Sequence, residues 1–248
     1  MSRALNVTNP TRRKRVLMVV AKPATSPTTG WPVGFWWAEL THPYWAFIEA
    51  GYEVEIRSPA GGTLQADAYS DPEDPSGYSA YDILSLGFKH SAQHMALLEH
   101  TKNLGDVDLG DYDAVFLAGG QSPMVTFRHN AKLEQLVAAF YEAGKVTALV
   151  CHATCLLLDT RLSSGELLVK GKTWTGFATS EEQFADDFVG TRLQPFWIED
   201  EARKISGTNF VVDQMFREFA VRDGLLVTGQ QQYSGAAAAR LVIEALGV

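Results

Sequence analysis

Short, strongly apolar runs recur along the chain, and segments of mixed polarity with helical spacing separate them. Arg15 to Ala21 (RVLMVVA) predicts a buried strand, and Trp36 to Ala50 predicts a helix that stops at Gly51. Glu53 to Ser58 (EVEIRS) predicts a second strand, closed by Pro59 and Gly61-Gly62. Asp67 to Ser79 is rich in Asp, Pro, Ser and Gly and reads as a loop. A third core strand is expected over Asp113 to Ala118, broken by Gly119-Gly120, and a helix over Lys132 to Ala143. Lys145 to Val150 predicts another buried strand, with an apolar helix from His152 to Leu158 directly after it. Strands at Phe210 to Val212 and Leu225 to Thr228 and a closing helix from Ser234 to Leu246 complete the pattern.

Apolar strands without alternation, separated by helices, imply a mostly parallel sheet covered on both faces. The expected fold is therefore α/β. No repeat or convincing linker divides the chain, so one domain is expected over 15–248, preceded by an N-terminal arm over 1–14. With 248 residues, 46% of them hydrophobic, the chain is long enough for a well-buried core.

The formal charge of −8 offers no electrostatic footing for nucleic acid. The basic cluster Arg12-Arg13-Lys14-Arg15 reads as part of the arm rather than a binding patch. No apolar stretch reaches the roughly 20 residues of a membrane span, and Val16 to Ala21 is too short for a signal-peptide core, so a cytoplasmic location is expected. The two cysteines, Cys151 and Cys155, read as reduced thiols.

Candidate chemistry centres on Cys151. It follows the strand VTALV and precedes a helix, which is the strand–nucleophile–helix order of an elbow. Such a turn exposes the side chain, and the helix N-terminus favours thiolate. Sites in open parallel sheets lie at the carboxyl ends of the strands. His42 could line a pocket near this point, although a packed or capping role explains it equally well. His90, His94 and His100 lie near Glu99, but only the first two have i,i+4 spacing and no third ligand is apparent, so no metal is expected. No G-x-G-x-x-G opens a helix after the first strand, so no dinucleotide fingerprint is present. The tryptophans at 31, 36, 37 and 45 suit core packing, a dimer contact or a pocket wall.

Several segments together resemble the ThiJ/PfpI superfamily, whose fold is that of class I glutamine amidotransferases. They are TGWPVGFWWAELTHPYWAFIEAGYEVEIRSPAGG, DAVFLAGG, GKVTALVCHA, KTWTGFATSEE and LVTGQQQYSGAAAA. The match runs from about Arg15 to Leu246, and the -AEL-HPY- segment points to the branch of glyoxalase III and the thirty-one-kilodalton heat-shock chaperones. The resemblance implies a flavodoxin-like α/β sandwich, a homodimer, and cofactor-independent chemistry on a small reactive carbonyl compound. It also implies that Glu39 sits against the Cys151 sulfur, where burial and the neighbouring charge would keep it protonated. His152 would pair with an acid after the next strand; Glu182 is the choice, with Glu181 and Asp186 as alternates. Oxyanion donors would come from Gly119-Gly120 and from the elbow near Ala153.

The chain departs from that branch at two places. It reads Gly119-Gly120-Gln121-Ser122 where relatives usually read Gly-Gly-His-Gly, and it has Ala153 where they have Gly. Both changes narrow the space over the sulfur or remove a proton donor, so the resemblance does not fix methylglyoxal as the substrate. A redox sensor or stress-protective chaperone using oxidised Cys151, and a Cys-His amidase or peptidase, are the rival readings.

Overall fold

The computed structural model describes residues 12–247. Its centre is a six-stranded sheet built from β1 (Arg15–Val19), β2 (Glu53–Arg57), β3 (Ala114–Leu117), β4 (Val146–Val150), β5 (Ala220–Asp223) and β6 (Leu226–Gly229). The spatial order is β2-β1-β3-β4-β6-β5, with every pairing parallel except that of β5 with β6. Met18 of β1 lies opposite Ile56 on one side and Phe116 on the other. Strands β3, β4 and β6 are buried at every residue, which is why they read as mainly apolar runs, interrupted only by Thr147 in β4 and by Thr228 and Gly229 at the end of β6.

Helices α1 (Trp37–Glu49) and α6 (Gly235–Leu246) pack on each other and on the sheet, while α4 (Ala131–Glu142) packs on β3 and β4. Between β2 and β3 the chain forms α2 (Ile83–Lys89) and α3 (Ala92–Glu99), and after β4 it forms α5 (Thr179–Val189). The α1–α6 contact is tight at Gly235, where a Cβ would meet the Pro43 side chain at 3.2 Å and the Glu39 Cα at 3.5 Å. A glycine there lets α6 press against the turn of α1 that carries Glu39.

Most expected elements lie within two residues of the observed ones, and the differences have physical causes. The apolar segment after β4 is a 3-10 helix, Cys151–Leu158, that begins at the cysteine itself. Phe210 belongs to a two-residue strand, Asn209–Phe210, that pairs with Thr173–Trp174 outside the main sheet. Edge strand β5 lies half-exposed with two charges in four residues, so it carries no apolar run to mark it. His90 caps the end of α2 whereas His94 lies within α3, so their spacing of four does not place them on one helix.

Residues 1–11 of the expected N-terminal arm lie outside the described residues. Arg12 donates to the Asp111 carbonyl at 2.8 Å, and the Lys14 carbonyl accepts from the Glu53 N–H at 2.8 Å, so residues 12–14 lie along the sheet.

Candidate active site

The carboxyl ends of β3 and β4 converge on Cys151. As β4 ends, the backbone turns sharply and Cys151 takes a φ of +55°, a left-handed conformation that costs a non-glycine residue about 1–2 kcal/mol. The turn aims the backbone N–H groups of His152 and Gly120 at the sulfur, and both favour the thiolate.

The two glycines after β3 answer to close approach rather than to flexibility alone. A Cβ on Gly119 would lie 2.3 Å from Glu39 Oε2 and 2.9 Å from Cys151 Cβ. One on Gly120, whose φ is +108°, would lie 2.5 Å from the Trp36 nitrogen. Only hydrogen at both positions lets α1 bring its carboxyl beside the nucleophile.

Glu39 stands in the first turn of α1, where an acid faces the positive end of the helix dipole. It is fully buried. Its Oε2 accepts the Gly119 N–H at 2.9 Å, and its Oε1 is buried with no hydrogen-bond partner among the described residues. Burial pushes the Glu39 carboxyl up to about 8, against the opposing influence of Cys151 and His152, so it holds its proton at neutral pH. Burial, and then the charge of Glu39, push the Cys151 thiol well above its ordinary range. The contribution of Glu39 has that sign only while its carboxyl is ionised. With the proton in place, the same carboxyl becomes a donor to sulfur. The site accommodates at most one negative charge between the sulfur and the carboxyl.

His152 is buried and held at both ring nitrogens. Nδ1 lies 3.1 Å from the Gly120 carbonyl and 3.7 Å from the Cys151 sulfur, and Nε2 lies 3.1 Å from Glu182 Oε1. A carbonyl can only accept, so Nδ1 carries a proton. That proton faces the sulfur as well as the carbonyl. His152 in this geometry is therefore a donor to the sulfur and not a base for it, which counts against a Cys-His peptidase. Burial opposes the imidazolium, but Glu182 outweighs it and holds the ring above its ordinary value. Burial likewise raises Glu182.

Of the other two acids considered for this role, Glu181 accepts from the N–H groups of Ala178 and Phe216 and from the Gln230 amide. Asp186 accepts the Leu193 N–H. Neither is hydrogen-bonded to the imidazole.

Cys151, Glu39, His152, Glu182 and Gln121 line one cavity of about 90 Å³, while Gly119, Gly120 and Ala153 lie outside its lining. The Gly119 N–H is already held by Glu39, so the N–H groups free to face a developing oxyanion are those of Gly120 and His152. Ala153 is fully buried behind the elbow. His42 is outside this cavity; its Nε2 lies 2.8 Å from Asp82 Oδ1. His90 lies 2.9 Å from Glu73 and His94 lies 2.7 Å from Ser91. Among the described residues no group of three or more His, Cys, Asp or Glu side chains is arranged to hold a metal. Trp36 lines the cavity, Trp37 is core, Trp45 packs on Phe88 and His94, and Trp31 is exposed.

Sequence reasoning missed Asp67. It opens the polar loop, yet it is buried, and its two oxygens accept the N–H groups of Gly34 and Gln121 at 2.7 Å each. It thereby ties the lead-in to α1 to the loop after β3, and burial pushes its carboxyl up to about 7. The one signal for it was its position between Ala66 and Ala68 after an apolar lead, unlike the solvated acids that follow. The aromatic rings from α5 and from the segment before β5 were missed as well, because their elements were not foreseen.

Residues 34–245 match the DJ-1/PfpI family. Glyoxalase 3 of Candida albicans is 26% identical over 238 residues, which cover 94% of this chain and 98% of that protein. The crystal structure of glyoxalase III from Candida albicans superposes with a TM-score of 0.75 at 27% identity, covering 94% of this chain and 98% of that one. The structure of Rapid Encystment Protein 24 kDa from Francisella tularensis superposes with a TM-score of 0.83 at 25% identity, covering 95% and 100%. The chain belongs to the DJ-1/PfpI family.

Proposed function

We propose, on the premise of that family membership, that the protein is a cofactor-independent enzyme of the glyoxalase III type, which converts a 2-oxoaldehyde and water to a 2-hydroxy acid. The observation that carries this reading is the sealed pair of Cys151 and Glu39: a thiol and a carboxyl with one proton to exchange, beside the N–H groups of Gly120 and His152. Near-full-length relatives named glyoxalase 3 and glutathione-independent glyoxalase support it.

In this scheme the reacting form of the pair carries one proton between sulfur and carboxyl. As the Cys151 sulfur bonds to the aldehyde carbon, that proton passes through Glu39 to the aldehyde oxygen, giving a hemithioacetal and leaving Glu39 ionised. The developing oxyanion faces the N–H groups of Gly120 and His152. Glu39, now ionised, takes the proton from the former aldehyde carbon, and the electron pair forms an enediol with the ketone carbon. The same carboxyl returns a proton to the ketone carbon, while the hydroxyl proton moves to the ketone oxygen. The product is a thioester of the 2-hydroxy acid. Water then bonds to its carbonyl carbon, the carbon–sulfur bond breaks, and the thiol recovers its proton. The Gly120 carbonyl keeps a proton on Nδ1 of His152 while Glu182 faces Nε2, and Asp67 holds the backbone of Gln121 at the wall of the cavity. The reading also takes 15–248 as one domain that acts as a cytoplasmic homodimer; light scattering of purified protein tests the dimer. No helix among the described residues is long and apolar enough to cross a membrane.

The test is turnover of methylglyoxal and glyoxal without glutathione, with Cys151→Ala and Glu39→Gln beside the wild type. Turnover at least 100-fold lower in both variants is expected. Full turnover by Cys151→Ala, or none by reduced wild type on any 2-oxoaldehyde, overturns the reading.

A further inference from the structure

The cavity above Cys151 opens through a nearly continuous arc of aromatic rings. Trp36 and Tyr78 meet edge to face at 6.0 Å, Tyr78 and Tyr69 at 6.1 Å, and Tyr69 and Phe188 at 6.3 Å. Phe188 stacks on Phe184 at 6.3 Å, and Phe184 meets Phe216 edge to face at 5.2 Å. All six rings line the cavity. They come from four separate stretches of chain: the start of α1, the loop after β2, helix α5 and the segment before β5.

Core packing does not account for these rings. Phe188 is 62% exposed, Phe184 is 42% exposed, and Tyr69 and Tyr78 are each 37% exposed, although each has a ring neighbour on the arc. An apolar collar kept open at the mouth of a reactive site is a surface for an apolar ligand. Among the described residues no lysine or arginine lines the cavity, and its one basic group, His152, is already paired with Glu182. A substrate with a carboxylate or phosphate would find no free cation to pair with. Cys151 and Glu39 are buried whereas Tyr69, Phe184 and Phe188 are partly exposed, so a dicarbonyl bonded to the sulfur directs its substituent back among the rings.

We infer that the enzyme's preferred substrates are uncharged 2-oxoaldehydes with an aryl or branched alkyl substituent, R–CO–CHO with R seated among Phe184, Phe188 and Tyr69. This rests on the glyoxalase reading above and adds the substituent to it; the bonds made and broken are the same. Methylglyoxal has only a methyl group to set against these rings and leaves them to water. A phenyl group adds several apolar carbons to the contact, and one methylene in an apolar pocket already changes kcat/KM by about 10-fold or more.

The test compares kcat/KM for methylglyoxal and phenylglyoxal, without glutathione, in wild type, Phe184→Ala, Phe188→Ala and Cys151→Ala. A ratio of at least 10 in favour of phenylglyoxal is expected in the wild type, falling about 10-fold in each phenylalanine variant. Phe188 is mostly solvated, so its truncation leaves the core intact, and Phe188→Leu, which keeps an apolar side chain, should hold most of the ratio. A wild-type ratio at or below 1, or a ratio insensitive to both truncations, overturns the inference while leaving glyoxalase activity standing. Turnover of neither substrate overturns the underlying reading, and the two failures are told apart by methylglyoxal.

Discussion

Replacing Glu39 with Gln should make the protein more resistant to unfolding, and increasingly so as pH rises. In the native state burial pushes the Glu39 carboxyl from its ordinary 4.5 up to about 8, against the opposing influence of Cys151, His152 and the Gly119 N–H. The unfolded chain releases that proton near 4.5, whereas the native state keeps it until about 8. Between those values the native state binds more protons than the unfolded one, so stability falls as pH climbs. Each pH unit across the window costs about 1.4 kcal/mol, which gives a loss of about 3 kcal/mol by pH 7 and about 5 kcal/mol at full ionisation. Gln preserves the acceptor for the Gly119 N–H and cannot ionise. Cys151, held as a thiol over this range, adds no slope of its own, and Asp67 and the His152–Glu182 pair act in both proteins. The measurement is urea unfolding of wild type and Glu39→Gln at half-unit steps from pH 4.5 to 8.5. The variant's advantage should be small at pH 4.5 and widen steadily to above about 3 kcal/mol. A difference that does not change with pH would show that Glu39 titrates as an ordinary carboxylate, and the account of the sealed pair would fall with it.

Two further substitutions test the scaffold around that pair. Gly119→Ala puts a methyl 2.3 Å from Glu39 Oε2 and 2.7 Å from the Val150 carbonyl, so it should cost about 1–3 kcal/mol in denaturant unfolding and lower turnover sharply; wild-type values for both would remove the close approach from the argument. Asp67→Asn offers one acceptor where two N–H groups need one each and turns an NH2 toward the other, so a loss of about 1–3 kcal/mol is expected at pH 8, and an unchanged midpoint would refute the tie between Gly34 and Gln121.

The parts of this fold that could be read from sequence are those in which one physical demand dominates. Val16 to Val19, Ala114 to Leu117 and Val146 to Val150 are buried on both faces, so the first two appear as bare apolar runs and the third as one broken only by Thr147. Cys151 was legible from the strand–cysteine–helix order together with the resemblance to the superfamily, and Glu39 from that resemblance. Helix α5 was not legible: its inner face carries Glu181 and Glu182, and Phe184 and Phe188 lie toward the solvent, which inverts the usual amphipathic pattern. The same inversion hid the collar. Asp67 was illegible for another reason, since its neighbours in space, Gly34 and Gln121, contribute backbone atoms that leave no trace in residue type. The 3-10 winding after Cys151 also follows from the tight turn and the packing around it rather than from the composition of CHATCLLL.

Helix α5 joins two properties that could otherwise vary independently. Glu182 on one face sets the proton on His152, while Phe184 and Phe188, two and six residues further along, shape the entrance. Its anchor is Glu181, which fastens the first turn to the Phe216 backbone and to Gln230. A descendant that altered its entrance by shifting or rebuilding this helix would move its acid along with its rings. Lineages of this protein should therefore diversify their choice of ligand through the loop bearing Tyr69 and Tyr78, where a change of shape leaves the proton inventory alone.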